Sequence, residues 1–206
     1  TLAVTFASDA GDTNTFPAAT ITNIENFSIK NQDDNDAVTV NFANISGEAL
    51  VNNNLSTSDV TFSNLAAGTN VDITGNGSLA NGATTITHVA ATTASTIDII
   101  GGTTAGNISD SQASGSKLVT TTITSTGAAN TVGTVGIDST VTALNIDATT
   151  DLTTGAFTAA GVTTLTITGA GDVDIDAGAL GAATDVIDAS ASTGDIDVLA
   201  GNVADN

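Results

Sequence analysis

A repeat of about 21 residues runs through the second half of the chain and restricts the folds open to it. Val141–Ile146 matches Val162–Ile167 at an offset of 21, and Asp151-Leu152 matches Asp172-Val173 at the same offset. The aliphatic residues Ile123, Leu144, Leu165 and Val186 also recur at this spacing, and the next acidic strand, Asp195–Val198, follows by 23. A period of 20 to 50 residues is typical of solenoids, in which each turn stacks on the last.

Short strands separated by Gly- or Ala-rich turns account for most of the sequence. Thr, Ser, Asn, Asp and Gly dominate, and all are poor helix formers. The fold predicted is therefore all-β, a parallel β-solenoid with coils of about 21 residues and about ten coils in all. The strands expected from alternating β-formers are Leu2–Phe6, Val38–Phe42, Val60–Phe62, Val71–Ile73, Ile97–Ile100 and Leu118–Ile123.

The first part of the chain is less regular than the second. Five of the six Phe residues lie before residue 63, and Asn52-Asn53-Asn54 resembles a loop. We expect an irregular β region over residues 1–90, with wider coils or a small β-domain of sandwich type, followed by regular repeats over 91–206. The repeats reach the last residue without a polar cap, so we expect the chain to be a segment of a longer polypeptide.

Acidic residues outnumber basic ones by 22 to 2, for a formal net charge of −20. Two lysines and no arginine cannot form a basic patch, so neither nucleic acid nor an anionic membrane surface is an expected partner. No apolar run approaches the roughly 18 residues of a membrane-spanning helix. The chain has no cysteine. Stabilisation by a bound divalent cation is therefore the leading expectation.

A candidate metal site lies in the acidic repeats of the second half. Asp172, Asp174 and Asp176 alternate with Val173 and Ile175, so in a strand the carboxylates share one face. Stacking should place Asp151 one coil before Asp172, and Asp195 and Asp197 one coil after Asp172 and Asp174. Carboxylate oxygens are the ligands that Ca²⁺ prefers. The predicted ligands are Asp151, Asp172, Asp174, Asp176, Asp195 and Asp197, together with Asp185 and Asp188, which flank Val186-Ile187 on an expected turn. The alternative is a solvated acidic face with loose counterions.

A second acidic patch follows Lys30 in the first part of the chain. Asp33, Asp34 and Asp36 surround Asn35, and four oxygen-bearing side chains in one loop are able to wrap a cation. The spacing is not that of an EF-hand, since no Gly lies at the bend and no Glu closes the loop. The alternative is a polar turn, because Asp and Asn favour turns on their own.

No enzymatic activity is expected from this sequence. His88 is the single histidine, and no nucleophile-elbow motif accompanies it. We expect it to be a surface or strand residue. Paired carboxylates hydrolyse glycosidic bonds in some β-solenoids, but the chain has no Trp, Tyr or Arg with which to hold a sugar.

One short element and the overall composition resemble a known group of proteins. Residues 21–29 read Ile-Thr-Asn-Ile-Glu-Asn-Phe-Ser-Ile, an I-x-x-I-E-x-hydrophobic-x-I element. It resembles the element that leads into strands of bacterial surface-layer proteins of the RTX, type I-secreted kind, and the repeats are similar to their central β-solenoid regions. The Gly-Gly-x-Gly-x-Asp nonapeptide of RTX proteins is absent, and Gly101-Gly102-Thr103 is at most a remnant of it.

The resemblance implies a structural role outside the cell. We expect a calcium-stabilised, self-assembling segment of a bacterial surface layer, with copies of itself as partners in a lattice or filament. Contact with cell-surface polysaccharide would come through regions outside this chain. The alternative is a stalk or ligand-binding module of a large RTX adhesin, with the same extracellular location.

Overall fold

The computed structural model describes residues 1–7, 16–33, 36–104, 106–115, 117–175, 179–180, 184 and 186–198. Parallel strands stack into a β-solenoid of about eight turns with roughly 23 residues per turn. At about 4.8 Å per turn, the stack is about 40 Å long. The described residues contain one short 3-10 helix, Phe42–Asn44, and no helix long and apolar enough to cross a membrane.

Twenty-two strands carry the fold within the described residues. In chain order they are β1 (Leu2–Phe6), β2 (Ile21–Thr22), β3 (Asn26–Asn31), β4 (Val38–Asn41), β5 (Ile45–Ser46), β6 (Leu50–Asn54), β7 (Val60–Leu65), β8 (Asn70–Thr74), β9 (Thr84–His88), β10 (Ala94–Ile100), β11 (Ile108–Gln112), β12 (Thr120–Thr126), β13 (Asn130–Val132), β14 (Val135–Ile137), β15 (Ala143–Ala148), β16 (Leu152–Thr154), β17 (Phe157–Ala159), β18 (Thr164–Gly169), β19 (Val173–Ile175), β20 (Ala179–Leu180), β21 (Val186–Ser192) and β22 (Ile196–Val198).

These strands form three main sheets that run along the stack. The long sheet has the order β1-β3-β6-β8-β10-β12-β15-β18-β21, and the second sheet has the order β4-β7-β9-β11-β14-β17-β20. The third sheet, β13-β16-β19-β22, begins only at Asn130, and β2 pairs with β5 in a short sheet near the start. Every described strand pair is parallel. Parallel pairing from β1 onward extends the solenoid through the first part of the chain, where a sandwich would have antiparallel strands.

Alternation of side chains along each strand explains which face is buried. In β10, Ile97 and Ile99 are fully buried, whereas Asp98 between them points outward. All six strands expected from the sequence are present, and β1 has the predicted bounds. β-branched residues suit this pleated, half-buried surface, so the local preference agrees with the fold.

The core is a thin column of Val, Ile and Leu side chains between the sheets, widened in the first turns by Phe. The rings of Phe27 and Phe42 meet edge to face with centroids 5.2 Å apart, and those of Phe42 and Phe62 lie 6.2 Å apart. All three rings are almost fully buried. Three of the buried Phe rings therefore pack together in the early turns, whereas, among the described residues, Phe157 is the one buried ring of the later turns.

The turns are fewer and longer than the 21-residue repeat predicts. The offset between paired residues is 21 from Leu144 to Leu165, as expected, but 26 from Ile97 to Ile123 and 20 from Leu50 to Asn70. The proposed match of Ile123 with Leu144 is wrong, because Leu144 lies beside Thr121. The match of Leu165 with Val186 is also wrong by one residue, since Ile187 lies beside Leu165. Turn lengths vary because loops between the strands change size.

The segment Asn52-Asn53-Asn54 forms the end of β6 and not a loop, which corrects the expectation from sequence. Asn53 points inward and is fully buried, and its side-chain amide donates to the Thr84 hydroxyl at 2.7 Å. Asn52 and Asn54 point outward and bond to Thr74 and Ser28 on neighbouring strands. Lateral hydrogen bonds of this kind allow three polar residues to occupy a strand.

The long sheet crosses residue 90 without interruption, because β8 pairs with β10. The turns before that point contain the 3-10 helix and the short sheet, whereas those after Asn130 contain the third sheet. The division of the chain into two domains near residue 90 stays a prediction.

Candidate metal site

The third sheet places a column of outward-facing side chains on one side of the last turns. Val173 lies between Leu152 and Ile196 in the interior, so the residues that follow them, Thr153, Asp174 and Asp197, lie side by side on the exterior. The strands β16 and β19 both show the burial pattern buried, exposed, buried. The alternation of Asp with aliphatic residues therefore sends the carboxylates outward, as predicted.

A second column, formed by Asp151, Asp172 and Asp195, lies at the corner before these strands. The backbone N–H of Asp172 donates to Oδ1 of Asp151 at 3.0 Å, and the backbone N–H of Asp195 donates to Oδ1 of Asp172 at 2.8 Å. Each of these bonds joins one turn to the next. An aspartate at this corner thus ties two turns together through one of its two oxygens.

The two columns line an open groove of about 380 Å³, which we call the aspartate ladder. It contains five carboxylates and no basic residue, and neither lysine of the chain forms an ion pair among the described residues. The ladder residues are Asp151, Thr153, Asp172, Asp174, Asp195 and Asp197, and all are exposed.

The donor set of the ladder suits a hard cation, but its arrangement is open. Carboxylate and hydroxyl oxygens are what Ca²⁺ prefers, and it takes six to eight of them. Within the described ranges, no three His, Cys, Asp or Glu side chains converge closely enough to hold a metal ion. The ladder offers instead neighbouring pairs, such as Asp174 and Asp197. A cation there would complete its shell with water or with oxygens from another molecule.

The structure brings together five of the eight ligands predicted for this cluster, namely Asp151, Asp172, Asp174, Asp195 and Asp197. Asp176 and Asp185 lie outside the described residues. Asp188 lies in β21 beside Thr166 on the long sheet, so it belongs to a strand and not to the turn expected from sequence. Hydrogen bonds from the hydroxyl and backbone N–H of Ser190 lower the pKa of Asp188 below its usual value, which keeps this exposed carboxylate ionised.

The patch around Asp33, Asp34 and Asp36 lies far from the ladder, after β3 in the second turn. The side chain of Asp33 is buried, whereas Asp36 is partly exposed, and Asp34 lies outside the described residues. The Asn31 side-chain amide donates to the backbone carbonyls of Asp36 and Asp59 at 2.8 and 2.9 Å. Asn31 thus holds this loop against the next turn, and the metal site proposed there stays a prediction.

His88 is a strand residue, but it faces the core and is 1% exposed. Its Nε2 lies 3.0 Å from Oδ1 of Asp110 and 3.1 Å from Oγ of Ser95, and Thr121 donates to Oδ2 of Asp110 at 3.1 Å. The same ring nitrogen contacts both Asp110 and Ser95, whereas a catalytic triad uses opposite nitrogens. This network therefore links strands inside the stack and is shielded from solvent.

Two aspartates that sequence reasoning overlooked meet on the long sheet. Asp72 in β8 is the register partner of Asp98 in β10. The segments Val71-Asp72-Ile73 and Ile97-Asp98-Ile99 share one pattern, which was the available signal. Their offset of 26 hides the match from a search at 21.

Comparison with protein-family models, with curated proteins and with solved structures finds no match for this chain.

Proposed function

We propose that this chain is a non-catalytic structural segment of a bacterial surface layer, which binds Ca²⁺ along the aspartate ladder and assembles with copies of itself outside the cell. The observation that carries the proposal is the ladder: five carboxylates stacked over consecutive turns with no cation of the protein beside them. Repulsion between neighbouring carboxylates rises as they crowd, and a divalent ion relieves it. The I-x-x-I-E element and the composition supply the surface-layer part of the proposal.

The open geometry of the ladder supports a role in assembly. Because its carboxylates are exposed and arranged as pairs, a bound cation keeps coordination positions for oxygens of a second copy. Acidic faces of two copies repel each other without metal and are bridged by it. Calcium would then be linked both to the stability of the fold and to association, since any ligand that prefers the folded or assembled state stabilises it.

A calcium titration of the purified chain tests this proposal. At a Ca²⁺ concentration about 100 times the Kd, binding adds about 2.7 kcal/mol of stability. That corresponds to roughly 5–10 °C in Tm for a chain of this size, and EGTA should reverse it. Light scattering should report larger particles at the same calcium concentrations. A melting curve that is the same in Ca²⁺ and in EGTA would rule the proposal out.

A matched pair of double variants locates the site. Asp174→Asn with Asp197→Asn removes two ladder carboxylates, and should abolish most of the calcium-induced rise in Tm. Glu25→Gln with Asp147→Asn removes the same charge from exposed positions elsewhere, and should leave that rise intact. Equal losses in both variants would indicate loose counterions around an acidic surface.

A stalk module of a large RTX adhesin is the second candidate. The first and last strands of the long sheet lie at opposite ends of the stack, as a spacer requires. The stalk would bind calcium in the same way but stay monomeric. Analytical ultracentrifugation in millimolar Ca²⁺ separates the two, because the surface-layer segment should sediment as an assembly.

A further inference from the structure

A row of polar side chains crosses the outer face of the long sheet and contains two acids side by side on neighbouring strands. The register places Asn52 beside Asp72, Asp72 beside Asp98, and Asp98 beside Thr124. Neighbouring strands lie about 4.8 Å apart, so the two carboxyl groups are within reach of one another. Asp72 is half-buried, and its register partner on β10 is Asp98.

Among the described residues, the surroundings of this pair supply no positive charge. On the side of β6 the neighbour is Asn52, which accepts a bond from Thr74 at 3.2 Å, and on the side of β12 it is Thr124. The next titratable group in the row is Asp147, beyond Thr124 on β15. Lys30 lies in β3, two strands from Asp72. The charge of the pair must therefore be relieved by a proton, by solvent or by a dissolved cation, and EGTA removes free calcium from the test.

The surroundings of the two carboxyls differ. The Thr124 hydroxyl donates to Oδ1 of Asp98 at 2.5 Å. Burial, the charge of Asp98 and the hydrogen bond to Asp98 together raise the pKa of Asp72 to about 6. A proton on Asp72 turns the repulsive pair into a carboxyl-to-carboxylate hydrogen bond, which is stronger than one between neutral groups.

We propose that Asp72 and Asp98 share one proton in mildly acidic solution, and that this proton fastens β8 to β10 on the outer face of the long sheet. The device is independent of the aspartate ladder and of calcium.

The direction of the pH effect follows from linkage. The pKa of an unfolded aspartate is about 3.9, and that of Asp72 in the fold is higher, so the folded state binds the proton more tightly. The contribution is unfavourable at neutral pH and is relieved as the pH falls through about 6, with the relief complete below about 4. Acidification from about pH 7.5 to about pH 5 covers only part of this range, so we expect about a tenfold change in the unfolding equilibrium constant, less than the full shift allows.

Urea unfolding in EGTA at about pH 7.5 and about pH 5 tests the proposal. The wild-type chain should gain about tenfold more in folding equilibrium constant on acidification than Asp72→Asn does. Asp72→Asn should also be the more stable of the two at neutral pH, because its amide donates to Asp98 without carrying charge. Asp147→Asn is the matched control, since it removes one outward carboxylate whose neighbours are Thr124 and Thr168. It should keep the wild-type response.

Carbon NMR of the Asp72 carboxyl in the wild-type chain gives a second measurement that needs no variant. Its titration midpoint should lie near pH 6. A midpoint near that of a free aspartate, or a pH response of Asp72→Asn equal to that of the wild type, would overturn the proposal.

Discussion

The two halves of the solenoid solve the same packing problem with different side chains. From β1 to β12 the offset between paired residues ranges from 20 to 26. The interior there holds the rings of Phe27, Phe42 and Phe62, which pack edge to face. From β12 to β21 the offset stays between 21 and 23, a third sheet closes the cross-section, and aliphatic residues fill most of the interior. The number of residues per turn does not follow ring size, because the turn that holds Phe62 spans 20 residues and the two 26-residue turns hold no Phe. The loops between the strands therefore set the length of each turn.

Close contact between turns occurs at particular glycines. In the later turns a Cβ on Gly169 would lie 2.0 Å from the carbonyl oxygen of Ala148, whereas one on Gly68 in the earlier turns would meet no atom within 4 Å. Both glycines have positive φ, +106° and +86°. Glycine is required at such contact points in both halves, because a Cβ on Gly75 or Gly82 in the earlier turns would also lie within 2.3 Å of a backbone atom of another turn.

Truncation of a buried Phe ring should have the largest effect on the free energy of unfolding. Phe62→Ala removes a fully buried ring that packs against Phe42, and should cost about 4 kcal/mol of unfolding free energy. Leu165→Ala in the later turns should cost about 3 kcal/mol. Urea unfolding measures both. If the Phe62 variant lost less than the Leu165 variant, the aromatic cluster would not be what stabilises the earlier turns.

The buried polar network lies where the two halves join, with His88 in β9, Asp110 in β11 and Thr121 in β12. His88→Leu removes one donor from the buried carboxylate of Asp110, and should cost about 3 kcal/mol. His88→Leu combined with Asp110→Leu should cost less than the sum of the single changes, because no buried charge remains. A double-mutant cycle by urea unfolding checks this, and strictly additive losses would contradict it.

Substitution of Gly68 and of Gly169 should have the smallest effects on stability, and the two costs should differ from each other. Gly68→Ala should cost about 1 kcal/mol, for positive φ alone. Gly169→Ala should cost about 2–3 kcal/mol, because the added Cβ also forces apart two turns. Thermal unfolding of the two variants gives the difference. Equal costs would show that the later turns yield as easily as the earlier ones.

The outline of the solenoid could be predicted because alternation of aliphatic and polar residues is a local property. The strand at Leu2–Phe6 needs only its own five residues to be recognised. The pairing of Ile123 with Ile146 could not be found at a fixed offset, since the turn from β12 to β15 takes 23 residues, two more than the repeat. Asn53 was mistaken for a loop residue because its buried partner, Thr84, lies 31 positions away.

The aspartate ladder could be predicted from the sequence because short loops keep the spacing of its residues regular. The same is true of the later turns. Asp174 and Asp197 are side by side as predicted. The pair formed by Asp72 and Asp98 and the burial of His88 depend on turns of irregular length, so their neighbours cannot be read from spacing.

The hydrogen bonds between turns run along the length of the stack, because the strands lie across it. A pulling force applied to the two ends of the chain would break the hydrogen bonds of one terminal strand one after another. Each turn of roughly 23 residues that came free would release about 80 Å of extended chain. Under tension the molecule would therefore lengthen in steps, one turn at a time, while the remaining turns kept their shape.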